Sequence, residues 1–414
     1  MIRALTPVIP LLLGITLLMF GSSLQGLLLP LRAQMENFDQ PEIGLLGSAY
    51  FVGFTLGCFR GPRIVQNVGH IRAFAAVVAI ASCVILAHSL FVLPSVWWVL
   101  RGATGFCFAI LFMIIESWLN EKSDNSTRGA VFSTYAMIVN GVGTLGQLSV
   151  ATADPESFEM FAFGSILISL AAVPVALSRR EAPAPIAEVH IRPLRIFRFS
   201  PVGFVGCLVT GLANGAFGAL LAVYALRMGF DTLDIALLAA TPALAAAVVQ
   251  WPMGWLSDRI DRRIVIIGAA AAAGLAGLFL SLQDGGSPTA VFVGVIAFGC
   301  FSFPLYALAV AHSNDFAAPG EMVETASGLL LIWSLGGVAG PIIASVAMAQ
   351  AGAPALFLFT ALTHVALAGY AGWRITRRAA PTAEERGSFN EAVVVSQTIG
   401  PVEMVEDGRD AEEA

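Results

Sequence analysis

The chain is a succession of apolar stretches, each long enough to cross a bilayer, separated by short polar loops. Of its 414 residues, 57% are hydrophobic and only 12% are charged, which is more apolar than a soluble domain of this length needs to fill its core. A helix requires about 20 mostly apolar residues to span a membrane. The pattern therefore predicts an all-α integral membrane protein with twelve transmembrane helices.

The predicted spans form two groups of six, joined by a segment rich in proline and arginine that is too polar to cross. We expect a first bundle over 1–178, a cytoplasmic linker over 179–200, a second bundle over 201–376 and a disordered, acidic cytoplasmic tail over 377–414. The predicted spans are 8–30, 43–59, 73–93, 97–119, 128–150, 158–178, 201–227, 233–256, 263–282, 288–313, 323–350 and 354–375.

The basic residues mark one end of the spans. When the loops are assigned alternately to two faces, every lysine and arginine except Arg32, Arg101 and Arg227 falls on one face, while the opposite loops carry acids. Because basic loops stay on the cytoplasmic side, we expect a multi-pass protein of the cell inner membrane with both termini in the cytoplasm.

Matching residues recur in the two groups of spans at a nearly constant spacing. The segment FDQPEI at 38–43 returns as FDTLDI at 230–235, and the pair Asn-Glu at 120–121 returns as Asn-Asp at 314–315. A common order and a nearly fixed offset indicate an internal duplication. The two groups are therefore predicted to be pseudo-symmetric six-helix bundles.

The stretch GWLSDRIDRR at 254–263 concentrates charge between two apolar spans. It resembles the G-x-x-x-D-R-x-G-R-R loop of the major facilitator superfamily, with Asp261 where glycine is usual. The resemblance implies a conformational gate whose ionic contact breaks as the bundles rock, whereas simple anchoring of a basic loop is the alternative. The matching positions are Gly254, Asp258, Arg259, Arg262 and Arg263.

Further gate candidates come from the same resemblance. The first-half counterpart of the charged loop, at 57–72, keeps Gly57 and Arg72 but has glycine in place of the aspartate. The stretch NEKSDNSTRG is similar to the E-x6-R-G motif of sugar-porter members, with Glu121 and Arg128 at the family spacing.

Three more stretches extend the resemblance over nearly the whole chain. RGATGFCFA at 101–109 looks like the family's fourth-helix pattern, and GGVAGP at 336–341 resembles its G-x-x-x-G-P helix motif. ESWLNE, QWPMGWLSDR and AHSNDFAAPGEMVETASGLLL together resemble the YcaD-type branch of the superfamily. The fold implied is the twelve-helix major facilitator fold.

In that fold, as the resemblance implies, helices one, four, seven and ten line a central cavity, and two, five, eight and eleven flank it. Polar groups on these helices are candidates for binding substrate, although each can instead hydrogen-bond between helices. Most are neutral, which favours an amphipathic or weakly polar solute. The candidates are Gln25, Tyr50, Arg101, Asn140, Gln147, Asn214, Gln250, Tyr306 and Trp333.

Two charges lie inside the fourth span, where an ion is costly. Arg101 and Glu116 fall roughly on one helical face. Either they serve substrate or proton coupling, or each reaches a membrane surface by extending its side chain.

A cluster near the end of the tenth span adds titratable groups. His312 and Glu324, like Glu116, are candidates for proton coupling, because a histidine beside carboxylates can titrate near neutral pH. The reading we favour for the cluster is an inner gate, in which Asp315 and its neighbours pair with Arg259, Arg262 or Arg128.

The function that these features predict is secondary active transport of a small organic solute by alternating access, coupled to protons, with efflux favoured over uptake. The alternatives are a non-transporting membrane sensor or assembly protein on the same fold, and uptake of a sugar-like or other neutral metabolite. Without a phosphate-binding loop, metal motif, serine elbow or paired catalytic carboxylates, neither an enzyme nor a cofactor is expected. The expected partners are the solute, protons and the lipid bilayer, with no nucleic acid, and the expected state is a monomer.

Overall fold

A computed structural model describes residues 6–123, 127–177, 193–283, 287–318, 321–377, 387 and 389. The described residues form helices and no strand. The long helices are α1 Ile9–Met35, α2 Gln40–Val68, α3 His70–Leu90, α4 Pro94–Glu121, α5 Arg128–Leu148, α6 Phe158–Ala176, α7 Pro201–Arg227, α8 Thr232–Arg259, α9 Arg262–Ser281, α10 Pro288–Asn314, α11 Met322–Ala351 and α12 Ala355–Ile375.

Among the described residues, eleven of these helices are long and apolar enough to cross a membrane. The exception is α5, which is 21 residues long but carries Tyr135, Asn140 and Gln147 along its length. At about 1.5 Å per residue it still has the reach of a span. The predicted all-helical membrane fold is confirmed, while the crossing of α5 stays a prediction.

The repeated sequence segment turns out to be a duplicated helix start. Before α2, the backbone N–H of Asp39 donates to the Glu42 side chain at 2.9 Å. Before α8, the side chain of Asp231 accepts a hydrogen bond from the backbone N–H of Asp234 at 2.8 Å. Backbone N–H groups at the start of a helix have no intrahelical acceptor. In both places an acidic side chain supplies the missing acceptor.

The same helix pairings occur in both halves of the chain. In the first half α1 packs on α5 and α6, α2 packs on α4, and α3 packs on α4 and α6. In the second half α7 packs on α11 and α12, α8 packs on α10, and α9 packs on α10 and α12. The internal duplication predicted from the sequence is therefore visible in the packing, and the boundaries of the two bundles stay predictions.

The two halves meet mainly through α2 with α11, α5 with α8, and α1 with α7. We call the end of the molecule with loops 36–39, 228–231 and 352–354 the distal end, and the end with segments 193–200 and 315–318 the basic end. A methyl group added to Gly44 of α2 would overlap Ser345 of α11, and one added to Gly337 would lie 2.6 Å from the Phe51 ring. Glycine thus allows close contact between the halves, at Gly44 toward the distal end and at Gly337 in the middle of α11.

Several helix limits differ from those predicted. Helix α2 continues to Val68, well past residue 59, through an exposed turn that contains Arg60 and Arg63. Helix α10 is interrupted at 303–304, where Pro304 has no backbone N–H to donate. Hydropathy marks where the apolar stretch ends, whereas hydrogen bonding decides where the helix ends. In the linker, a short helix at Pro193–Phe199 buries Ile196.

Substitution of Gly105 tests the closest packing inside the first half. A methyl group at this position would overlap the backbone carbonyl oxygen of Tyr50, so α2 and α4 must separate. We expect Gly105→Ala to lower the free energy of unfolding by about 1–3 kcal/mol. The measurement is thermal unfolding of the purified protein in detergent. The control is Gly141→Ala, where an added methyl meets nothing within 4 Å; equal stability of the two variants would contradict the expectation.

Candidate functional site

A cavity of about 280 Å³ lies between the two halves, in the part of the molecule nearer the distal end. Its wall is built from α1, α2, α4 and α5 of the first half and from α7 and α8 of the second. The polar lining residues are Ser22, Ser23, Tyr50, Arg101, Gln147 and Asn214. Four of the predicted binding residues therefore share one cavity.

Arg101 is the charged member of this lining. Its guanidinium carbon lies 4.6 Å from the centre of the Tyr50 ring, which is a cation–π contact. Gly105, one turn further along α4, lets the Tyr50 backbone approach closely enough for this contact. Among the described residues, no carboxylate pairs with Arg101, and none of the lining residues is acidic.

Asn214 is held in the cavity wall by a buried polar chain that the sequence did not reveal. Its side-chain oxygen lies 2.8 Å from the Ser302 hydroxyl, which in turn lies 3.0 Å from Nε2 of His364. Nδ1 of His364 is 2.7 Å from the carbonyl oxygen of Thr360. Ser302 and His364 are fully buried, so this contact fixes the amide of Asn214 from behind. Sequence spacing gives no signal for it, because three helices contribute.

The other binding candidates lie outside this cavity. Gln25 is buried, and its two polar side-chain atoms have no hydrogen-bond partner among the described residues. Tyr306 and Trp333 pack together with ring centres 5.9 Å apart. Asn140 is exposed and donates to the Ala136 carbonyl oxygen at 2.9 Å.

Gln250, the remaining candidate, is half-buried on α8.

The aromatic side chain of Trp333 also contacts the first half, since its ring centre is 5.4 Å from that of Phe51. Trp333 therefore lies at the contact between the halves.

Glu116 lies deep in the first half. Only 2% of the residue is exposed, and its Oε1 accepts a hydrogen bond of 2.8 Å from the Tyr135 hydroxyl of α5. The carboxylate does not extend to the membrane surface, which was one of the two readings left open by the sequence.

A dense charged cluster occupies the basic end of the second half. Arg262, whose side chain is 1% exposed, lies 2.8 Å from Asp258 and 3.4 Å from the buried carboxylate of Asp315. Arg262 also donates to the carbonyl oxygen of Gly387. The backbone N–H groups of Gly387 and Phe389 donate to Asp315 at 3.1 Å and to Asp258 at 3.0 Å. The pairing of Asp315 with Arg262 is one of those that the sequence predicted.

Asp261, the departure from the family pattern, has a local role at the start of α9. Its carboxylate accepts hydrogen bonds from the backbone N–H of Arg263 at 3.0 Å and from the Arg263 guanidinium at 2.7 Å. Burial opposes ionisation, but the hydrogen bonds from the Arg263 side chain and backbone prevail and lower the pKa of Asp261. Arg259 instead stacks on Trp255, 3.8 Å from the ring centre.

The remaining gate candidates lie apart from this cluster. A methyl group on Gly57 would lie 2.7 Å from the Ala109 side chain, so this glycine serves close packing of α2 on α4. Arg72 is exposed, and the Glu121 carboxylate lies 3.5 Å from Lys122. The Nε atom of Arg128 is buried without a hydrogen-bond partner in the described ranges.

The last titratable candidates surround the end of α10. His312 is buried against Phe316, with ring centres 5.1 Å apart, and Glu324 is half-buried in the first turn of α11. Glu321 pairs with Arg195 of the linker at 2.7 Å. The roles of these residues as gate or proton site stay predictions.

Two residues of the predicted disordered tail dock on this cluster. Phe389 is 3% exposed, and Gly254 leaves room for its ring, because a methyl group at Gly254 would overlap it. Most of the tail, 378–386, 388 and 390–414, lies outside the described residues, so its predicted disorder is not tested. The glycine of the family motif here serves contact with the chain's own tail.

Gly254→Ala is expected to displace Phe389. The reason is that the added methyl takes the volume of the ring, so that the amide of Phe389 leaves Asp258. We expect the amide of Phe389 to exchange hydrogen at least about tenfold faster, the change produced by about 1.4 kcal/mol, as measured by hydrogen–deuterium exchange. Gly268→Ala on α9, with open space around the added methyl, is the control. Unchanged protection in the Gly254 variant would show that Phe389 docks elsewhere.

A duplicated helical membrane fold with a cavity between its halves is typical of membrane transporters. The sequence model of the Major Facilitator Superfamily matches residues 11–330 and 232–402. The chain belongs to this superfamily and is a membrane transporter, a multi-pass protein of the inner membrane.

Individual relatives agree with this assignment. The uncharacterized MFS-type transporter YcaD of Escherichia fergusonii is 26% identical over 360 residues, which is 86% of this chain and 92% of the relative. The predicted resemblance to the YcaD-type branch is thus confirmed.

Solved structures show the same fold. The nucleoside transporter NupG superposes with a TM-score of 0.75 at 12% identity, over 90% of this chain and 100% of that one. A bacterial homologue of the human lysosomal transporter Spinster, in an inward-facing and occupied conformation, superposes with a TM-score of 0.72 at 16% identity, over 92% and 98% of the two chains.

Proposed function

We propose that this protein is a secondary active transporter that moves a small organic solute across the inner membrane by alternating access, with both termini in the cytoplasm. The observation that carries the proposal is the cavity between two halves that repeat the same helix pairings. Because both halves contribute to its wall, rocking one half against the other changes which side of the membrane the cavity faces.

The contacts between the halves support an inward-facing state for the described conformation. Gly44 meets Ser345 near the distal end, and α8 packs on the short turn Ser149–Thr152 that follows α5. Under the proposed orientation, these contacts close the cavity toward the outside. The return step then requires the basic ends of the two bundles to come together.

We further propose that transport is coupled to protons through Glu116, with efflux as the direction favoured by the sequence. A carboxylate buried in a membrane is stabilised either by a proton or by donors such as the Tyr135 hydroxyl. Since Tyr135 lies on α5, motion of α5 relative to α4 changes the surroundings of Glu116. Its protonation can therefore follow the conformation.

Glu116→Gln tests the proton coupling. The amide keeps the shape and a hydrogen bond but cannot release a proton, so solute flux driven by a pH gradient should fall at least about tenfold, while solute exchange at equal pH continues. The substrate is first found by comparing solutes in cells that lack or overproduce the protein. Flux and internal pH are then measured in proteoliposomes.

The matched control is Glu159→Gln, which removes an exposed carboxylate at the start of α6. If solute flux driven by a pH gradient survives in the Glu116 variant, this residue is excluded as the proton site. Solute that binds without crossing would instead favour a sensor.

Asp258→Asn tests the charged cluster as a gate. The substitution removes one negative charge beside Arg262 without changing shape. Because Asp258 is partly exposed, we expect flux to fall roughly 5- to 10-fold, corresponding to about 1–1.4 kcal/mol. Asp154→Asn, at an exposed position of the distal end, is the control. If the Asp258 variant keeps the flux of the wild type, the charged loop at 254–263 only anchors the protein and is not a gate.

A further inference from the structure

We infer that Arg101 and Tyr50 form an anion-binding subsite, and that the solute is a small organic acid with one carboxylate attached to a planar, apolar body. This inference rests on the proposed transport function and names the class of its substrate. The sequence favoured an amphipathic or weakly polar solute, and the cavity wall narrows this class to an acid.

The first argument is charge balance in the cavity wall. Arg101 brings a positive charge, and no described lining residue is an aspartate or glutamate. No carboxylate of the described chain pairs with Arg101. In a confined, partly dry cavity the attraction between opposite charges is weakened less than in water, so a bound anion is stabilised.

The second argument is the geometry of the guanidinium group. The guanidinium carbon lies over the Tyr50 ring, 4.6 Å from the ring centre, which is a cation–π contact. The N–H donors lie in that plane and match the two oxygens of a carboxylate. Within the described ranges no hydrogen bond engages the Arg101 guanidinium, so its donors remain available to an anion while Tyr50 contacts the group.

The third argument is the rest of the wall. Gln147 and Asn214 offer neutral hydrogen bonds, and Phe51 and Phe217 offer aromatic surface. The cavity volume of about 280 Å³ lies near the lower end of the usual range for ligand pockets, about 300–1,000 Å³. One cation, neutral amides and aromatic walls fit a compact monocarboxylate, whereas a phosphate or dicarboxylate requires several cations.

The test compares acids with their neutral amides on the purified full-length protein in detergent. The probes are benzoate and benzamide, salicylate and salicylamide, and nicotinate and nicotinamide, and the readout is the ligand-induced rise in Tm. We expect acids to raise the Tm of the wild type while the paired amides do not. From the concentration dependence, Arg101→Gln should weaken acid binding roughly 10- to 100-fold.

The matched control is Arg227→Gln, which removes an exposed arginine at the distal end, outside the cavity. Acid binding should be unchanged in this variant, and Arg101→Lys should give an intermediate loss because the charge remains without the planar fork. If Arg101→Gln fails to fold, the comparison of acids with amides on the wild type decides by itself.

Three outcomes would overturn the inference: amides that stabilise as well as acids, acid binding that survives in Arg101→Gln, or no stabilisation by any acid. Uptake of the same radiolabelled compounds into proteoliposomes separates this inference from the proposed function. Acids that bind but do not cross would support the subsite and count against transport. Neutral amides that cross while acids do not would count against the subsite alone.

Discussion

Helix α2 packs unusually closely against two neighbours, α4 and α11, and both contacts shape the cavity region. Toward α4, Gly105 lets the backbone of Tyr50 approach, and this places the Tyr50 ring over Arg101. Toward α11, Gly44 lets the two halves touch near the distal end, and Gly337 lets them touch at mid-helix. In a membrane, helices gain little from burying apolar side chains against each other, so close packing of small residues carries much of the association. One helix therefore shapes the cavity wall and also joins the halves.

The charges inside the protein are separated along the helix axis. Arg101 lines the cavity, whereas Glu116, fifteen residues further along α4, is buried against Tyr135. At about 1.5 Å per residue, this separation is about 22 Å, too far for an ion pair. Arg101 and Glu116 thus contact different side chains, Tyr50 and Tyr135 respectively. This separation agrees with a solute site and a proton site that communicate through helix motion rather than through direct contact.

Much of the fold could be predicted from the sequence, because the bilayer leaves few choices. Apolar length predicts the spans, and the recurrence of FDQPEI as FDTLDI predicts the duplication that the packing confirms. Four of nine binding candidates share the cavity, since a polar residue inside a span must face protein or water. The break at Pro304 was missed because hydropathy does not register a lost hydrogen bond, and the contact of Ser302 with Asn214 was missed because it joins distant segments.

Sequence alone was enough to locate the long helices, to show that they form two related halves, and to show that charge concentrates at 254–263. These properties depend on local composition and on repetition along one chain. Which side chains meet became visible only in the folded chain: Tyr50 with Arg101, Tyr135 with Glu116, and Phe389 with Gly254. Such pairs depend on how each helix is rotated and how closely it packs, which is fixed by contacts between residues far apart in the chain.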